Sequence, residues 1–164
     1  MFSKSFVALI FLALTSSVNA QVCMSPALGV STTLTTTPTV NDAQQPSEDV
    51  PCGKVNVTQN IDLSAPVTAY SNGTLPVSII NYQTSTDRSQ YITKVQVDET
   101  GTGLGSNFVD ASMLNNGPSA PDSVGTEVLN VQLPSGYKCT GGNSADLCIA
   151  AFTTNEGYGN CVVF

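Results

Sequence analysis

The chain is 164 residues long, one domain's worth of polypeptide, and carries 12 acidic against five basic side chains, for a formal charge of −7. It contains neither histidine nor tryptophan, which excludes Ser-His-Asp and Cys-His nucleophile pairs, His-ligated zinc and copper, and imidazole acid/base work. Each of these needs a group titrating near neutrality or a neutral nitrogen ligand, and the acidic surface repels nucleic acid and anionic membranes.

Met1 to Lys4 gives a short positive start, Phe6 to Leu14 is an unbroken run of nine apolar residues, and Val18-Asn19-Ala20 suits signal peptidase. A span would need ~20 apolar residues. Residues 1–20 are therefore expected to be a signal peptide, and the mature chain to start at Gln21, whose cyclisation to pyroglutamate would remove the α-amine. With Lys4 lost and every acid kept, the mature charge becomes −8. The expected location is secreted and extracellular, with no membrane contact after the signal is removed.

Residues 21–50 are rich in Thr, Pro and Gln and poor in aromatics. They are expected to form a Thr/Pro-rich arm, either a solvated loop spanning part of a sandwich or an O-glycosylated stalk. From 51 to 164 short β-prone runs alternate with turn signals: Pro66 to Tyr70, Leu75 to Tyr82, Tyr91 to Asp98, Asn107 to Met113, Thr126 to Leu133, Leu147 to Thr153 and Asn160 to Phe164. Alternation puts Tyr91, Thr93, Val95 and Val97 on one face, and Leu129, Val131 and Leu133 on another. Asn155-Glu156-Gly157 reads as a hairpin turn. The expected fold is all-β, an antiparallel β-sandwich of about six to eight short strands, disulfide-stabilised, with no helix and no repeat.

The sequons Asn56-Val57-Thr58 and Asn72-Gly73-Thr74 make Asn56 and Asn72 the expected glycosylation sites on exposed loops. Cys23, Cys52, Cys139, Cys148 and Cys161 are disulfide candidates, an odd number that leaves one over. Cys139 and Cys148 bracket a Gly-rich loop, and Cys23 and Cys52 a long one, but sequence alone does not choose the pairing. Zinc has neither a CxxC pair nor a histidine to hold it.

Asp98-Glu99-Thr100-Gly101-Thr102-Gly103-Leu104-Gly105 is the most conspicuous segment. Glu99 interrupts the Asp-Thr-Gly of an aspartic protease, no helix follows as a dinucleotide loop requires, and two carboxylates are few for calcium. A polar turn between strands is the expectation. Paired carboxylates are the one general acid/base device left, with Asp87, Asp98, Glu99 and Asp110 as the acids. Tyr70, Tyr82, Tyr91, Tyr137 and Tyr158 are able to stack on sugars, and Arg88 is expected to pair with Asp87 at the surface.

Leu133-Pro134-Ser135-Gly136-Tyr137-Lys138-Cys139-Thr140-Gly141, then Leu147-Cys148-Ile149-Ala150, then Asn155 to Val163, with Pro51-Cys52-Gly53 upstream, resemble the fungal Egh16-like family of small secreted proteins, the appressorium- or penetration-associated type. The likeness spans about Pro51 to Phe164. It implies a secreted fungal protein tied to infection structures or host-surface contact, without an established catalytic activity. Two departures stand out. Asp87 to Ile92 has no cysteine where members carry Gly-Pro-x-x-Cys, and Gln21 stands where members often have a histidine, which speaks against a copper role.

The expected function is non-enzymatic binding at the cell wall or host interface, associated with virulence. Polysaccharide or host-surface components are the expected partners, and no catalytic, cofactor or metal residue is assigned. The alternatives are a carbohydrate-active hydrolase using a carboxylate pair, and a degenerate copper monooxygenase-like protein.

Overall fold

A computed structural model describes residues 22–83, 91–116 and 123–164. The expected signal segment, the mature end at Gln21 and the Asp87-Arg88 turn lie outside the described residues. In chain order the strands are β1 (Val22–Ser25), β2 (Thr74–Asn81), β3 (Ile92–Asp98), β4 (Phe108–Asp110), β5 (Ser112–Asn115), β6 (Gly125–Gln132), β7 (Ile149–Thr154) and β8 (Gly159–Val163). They form two four-stranded sheets, ordered β1-β2-β6-β5 and β4-β3-β7-β8, with every ladder antiparallel. Among the described residues no helix is long and apolar enough to cross a membrane.

Alternation along the strands builds the core between the sheets. Val22, Met24, Leu75, Val77, Ile79, Leu129 and Val131 face inward from one sheet, and Val95, Val97, Ala150, Phe152 and Val162 from the other. β7 and β8 do not alternate in character, however. Ile149, Ala151, Cys161 and Val163 are as apolar as their inward neighbours, so the outer face of this sheet also needs cover. Leu28, Val57 and Ile61 supply it.

That requirement corrects the expected arm. The segment over residues 21–50 holds β1, which pairs with β2 from Val22↔Asn81 to Ser25↔Ser78, so the sandwich is not confined to 51–164. The same segment also closes the outer edge of β8. Gln44 exchanges two backbone hydrogen bonds with Gly159 (2.6 and 3.1 Å) and Leu28 N–H donates to the Cys161 carbonyl (2.8 Å), while beyond that segment Val67 N–H donates to the Val163 carbonyl (2.8 Å). An edge strand left open invites pairing with other chains, and here N-terminal backbone occupies it.

Both seams between the sheets are fastened by an asparagine side chain acting as a short strand. At the β1/β8 seam the Asn160 Oδ1 accepts from Met24 N–H (2.7 Å) while its Nδ2 donates to the Met24 carbonyl (3.1 Å). At the other, Asn116 Oδ1 accepts from Ile92 N–H (3.2 Å) and its Nδ2 donates to the Ile92 carbonyl (2.6 Å).

Other local expectations change for identifiable reasons. The run from Asn107 to Met113 splits at Ala111, where the chain leaves one sheet for the other, so one expected strand becomes β4 and β5. A bulge between Ile92 and Lys94 turns Thr93 outward, away from Val95 and Val97. Pro66 to Tyr70 forms no strand; Val67 N–H bonds β8 and Tyr70 N–H bonds Thr74, so the segment crosses between sheets. A helical turn, α1 (Val57–Asn60), appears where no helix was expected, and Asn56 Oδ1 caps it by accepting from Gln59 N–H at 3.2 Å. The Asn155–Gly157 hairpin forms as expected, closed by Gly157 N–H to the Thr154 carbonyl at 2.9 Å.

Replacing Asn160 by alanine strands a buried N–H and C=O on Met24, and an unsatisfied buried group costs about 1–3 kcal/mol. Urea unfolding of Asn160→Ala should therefore show a loss of roughly 2–5 kcal/mol. A change too small to resolve would mean the clamp is dispensable.

Candidate functional site

The cysteines resolve into two bridges and a thiol. Cys52 joins Cys161 across 109 residues, and Cys139 joins Cys148 across nine. In the chain-entropy picture these loops correspond to about 5 and about 3 kcal/mol of stabilisation. Cys23 is unpaired, so among the disulfide candidates it is the one left over. It is buried, with its thiol donating to Asn160 Oδ1 at 3.4 Å. Burial, reinforced by the Asp42 charge and partly offset by a backbone hydrogen bond from Met24, pushes the thiol from 9.0 up to about 12. Tyr82, whose hydroxyl donates to the Pro38 carbonyl at 2.6 Å, is likewise pushed up to about 12, by burial first and then by Cys23 and Asp42.

The acidic, Gly-rich turn is a structural device. Asp98 is 0 % exposed, and both carboxylate oxygens are engaged. Oδ1 accepts from Thr100 N–H (2.8 Å) and Thr100 Oγ1 (2.6 Å), and Oδ2 from Gly103 N–H (2.8 Å) and Thr102 Oγ1 (3.4 Å). Asn107 Nδ2 then ties Thr100 and Thr102 together at 3.0 and 2.8 Å. Asp98 and Asp110 share a face of the β3–β4 ladder, two register steps apart, yet Asp98 is sealed from solvent and Asp110 accepts from Gln96 at 3.0 Å. Asp87 lies outside the described residues. Glu99 contributes its carbonyl, which accepts from Thr140 N–H at 2.8 Å.

Among the described residues, three grooves are each lined by one tyrosine. One at the bulged seam, about 460 Å³, includes Tyr91, Lys94 and Asp110; another, about 510 Å³, includes Tyr158, Gln44 and Lys54. The third, about 450 Å³, lies between the Ser71–Gly73 and Leu133–Tyr137 turns and has no charged lining residue. The register makes it: Thr74 opens β2 opposite Gln132, which ends β6, so the preceding and following turns sit side by side. Gly73 N–H bonds the Tyr70 carbonyl (2.9 Å), Leu133 N–H bonds that of Gly73 (2.9 Å), and Gln132 Nε2 reaches the Asn72 and Gly73 carbonyls at 3.4 and 3.3 Å. Gly73 has φ +79°, a backbone conformation that favours glycine.

The Tyr137 ring is half-buried and tilts against Phe164, with ring centroids 6.0 Å apart. Tyr70, which opens the facing turn, is 58 % exposed. Both sequon asparagines are exposed, and one of them, Asn72, lines this groove; Asn56 instead caps α1. Sequence reasoning singled out Tyr70, Tyr137 and Asn72 separately but missed Gln132 and Ser135. Two turn signals, Asn72-Gly73 and Pro134-Ser135-Gly136, flanked the relevant strands without indicating that they meet. Among the described residues no cluster of three or more acids or cysteines is placed to hold a metal.

No family model, no curated protein and no solved structure matches the chain.

Two outcomes follow from this chemistry. Asp98→Asn replaces one acceptor oxygen by a donor facing donors, and should cost roughly 1–3 kcal/mol in thermal or urea unfolding; an unchanged midpoint would contradict the strut role. Cys23 should resist thiol reagents at pH 8 in the native protein and react once per chain in denaturant. Because its folded value is raised, its contribution to stability is complete below about pH 9 and is lost as pH climbs toward 12. Cys23→Ala should flatten that alkaline decline in a pH series of melts.

Proposed function

We propose that this chain is a secreted, non-enzymatic binding protein that engages neutral polysaccharide at the cell wall or host interface through the groove between the Ser71–Gly73 and Leu133–Tyr137 turns. The observation that carries this reading is the groove's chemistry. Its lining offers amide and hydroxyl groups from Asn72, Gln132 and Ser135 and ring faces from Pro134 and Tyr137, with no charge. Sugars present an apolar C–H face and a rim of hydroxyls, which such a surface complements. The mature charge of −8, with Lys4 removed, favours neutral over acidic polymers.

Two disulfides agree with an oxidising compartment. The resemblance to Egh16-like proteins supports a fungal source and a role in host contact. The hydrolase alternative has weaker support, because Asp98 is committed to its turn and shielded from solvent. The copper alternative depends on the processed end, which lies outside the described residues.

Pull-down on insoluble β-1,3-glucan and chitin, with acidic pectin as a contrast, should retain the protein on a neutral polymer without releasing reducing sugar. Tyr137→Ala should weaken oligosaccharide binding roughly five- to tenfold, with the melting temperature reporting any loss of fold. Retention on none of these polymers, or sugar release, would overturn the reading.

A further inference from the structure

Resting on that reading of the groove, we propose that its resident occupant is the protein's own N-linked sugar at Asn72, so that the state of this glycan sets whether the site is covered or open. Asn72 is both a sequon residue and a wall of the groove. Its Oδ1 is held by Thr74 N–H at 3.0 Å, which orients the amide and leaves Nδ2 as the atom for the sugar. Across from it stand Pro134, Ser135 and Tyr137, the ring faces and hydroxyl that suit an N-acetylglucosamine. Asn56 is arranged differently. Its Oδ1 caps α1, it is exposed, and it lines none of the three grooves, so a glycan there would extend into solvent.

Attachment joins C1 of N-acetylglucosamine to Asn72 Nδ2. The lipid-linked pyrophosphate of the donor, supplied by the secretory membrane, leaves with the bonding pair, and one Nδ2 proton is released. Once attached, the sugar is present at an effective concentration on the order of millimolar or above, enough to compete with a soluble sugar of millimolar affinity. The bound glycan therefore lowers the apparent affinity for external polymer by roughly two- to tenfold.

The test uses full-length protein secreted from a eukaryotic host, with occupancy of each sequon read by intact mass and peptide mapping. Affinity for laminarihexaose and chitohexaose is measured on the glycosylated form, on Thr74→Ala, which lacks the Asn72 sugar but keeps the Asn72 amide and the residue-74 N–H that holds it, and on Thr58→Ala, which lacks only the Asn56 sugar. Hydrogen exchange of residues 133–137 is followed in parallel. The expected result is two- to tenfold tighter binding and faster exchange at 133–137 in Thr74→Ala, with Thr58→Ala like the parent. A bare Asn72, or equal exchange with and without the sugar, overturns the proposal. Slower exchange under the glycan while no form binds either hexaose would uphold the self-cover and sink the polysaccharide reading instead.

Discussion

The architecture turns on one carboxamide. A two-sheet sandwich has seams where the outermost strands of each sheet meet without a ladder, and any peptide group left there must find a partner or remain wet. Asn160 meets that requirement by pairing both polar groups of Met24, as a third strand would, while Val162 beside it points into the core. Because the same strand bonds Gln44, Leu28 and Val67 along its outer edge and carries Cys161 to Cys52, β8 joins the N-terminal segment to the rest. The first and last parts of the chain thus fold as one unit, which gives β1 its place despite a length of only four residues.

Fastened seams have a consequence for the groove. Asn116 holds the β5 side as Asn160 holds the β1 side, so β2 and β6, the inner strands of their sheet, are kept in register from Thr74↔Gln132 to Asn81↔Gly125. The turns that wall the groove begin where this ladder ends. Gln132 binds the carbonyls of the facing turn, and Leu133 N–H adds a backbone bond to it, so the groove inherits the rigidity of the sheet. A preformed site loses less entropy on binding than a mobile loop does.

The strands were legible where hydrophobic alternation was clean and turn residues bounded it. β6, with Leu129 and Val131 inward, is such a case, whereas the β7–β8 hairpin was legible from its Asn155-Glu156-Gly157 turn between two apolar runs. What was illegible depended on partners far along the chain. Val22 to Ser25 reads as part of a Thr-rich arm until β2 and Asn160 are beside it. Thr93 looks like a core position until the bulge shifts it, and Ala111 looks like mid-strand until the chain changes sheets. The groove was harder still, since Asn72 and Ser135 are brought together only by the β2–β6 register, which no local pattern encodes.

The cysteine- and glycine-rich loop segments bind one another rather than converge on a cleft. Cys52 of Pro51-Cys52-Gly53 is bridged to Cys161 of the closing segment. Glu99 in the acidic turn accepts both Thr140 N–H and Thr140 Oγ1, and a Cβ on Gly101 would fall 2.8 Å from the Gly141 Cα. Glycine at 101 and 141 lets two backbones approach more closely than side chains allow. These contacts specify how the loops dock, so binding has to be sought at positions that take no part in them. Ser71, Asn72, Ser135 and Tyr137 lie outside these contacts, and all four line the uncharged groove.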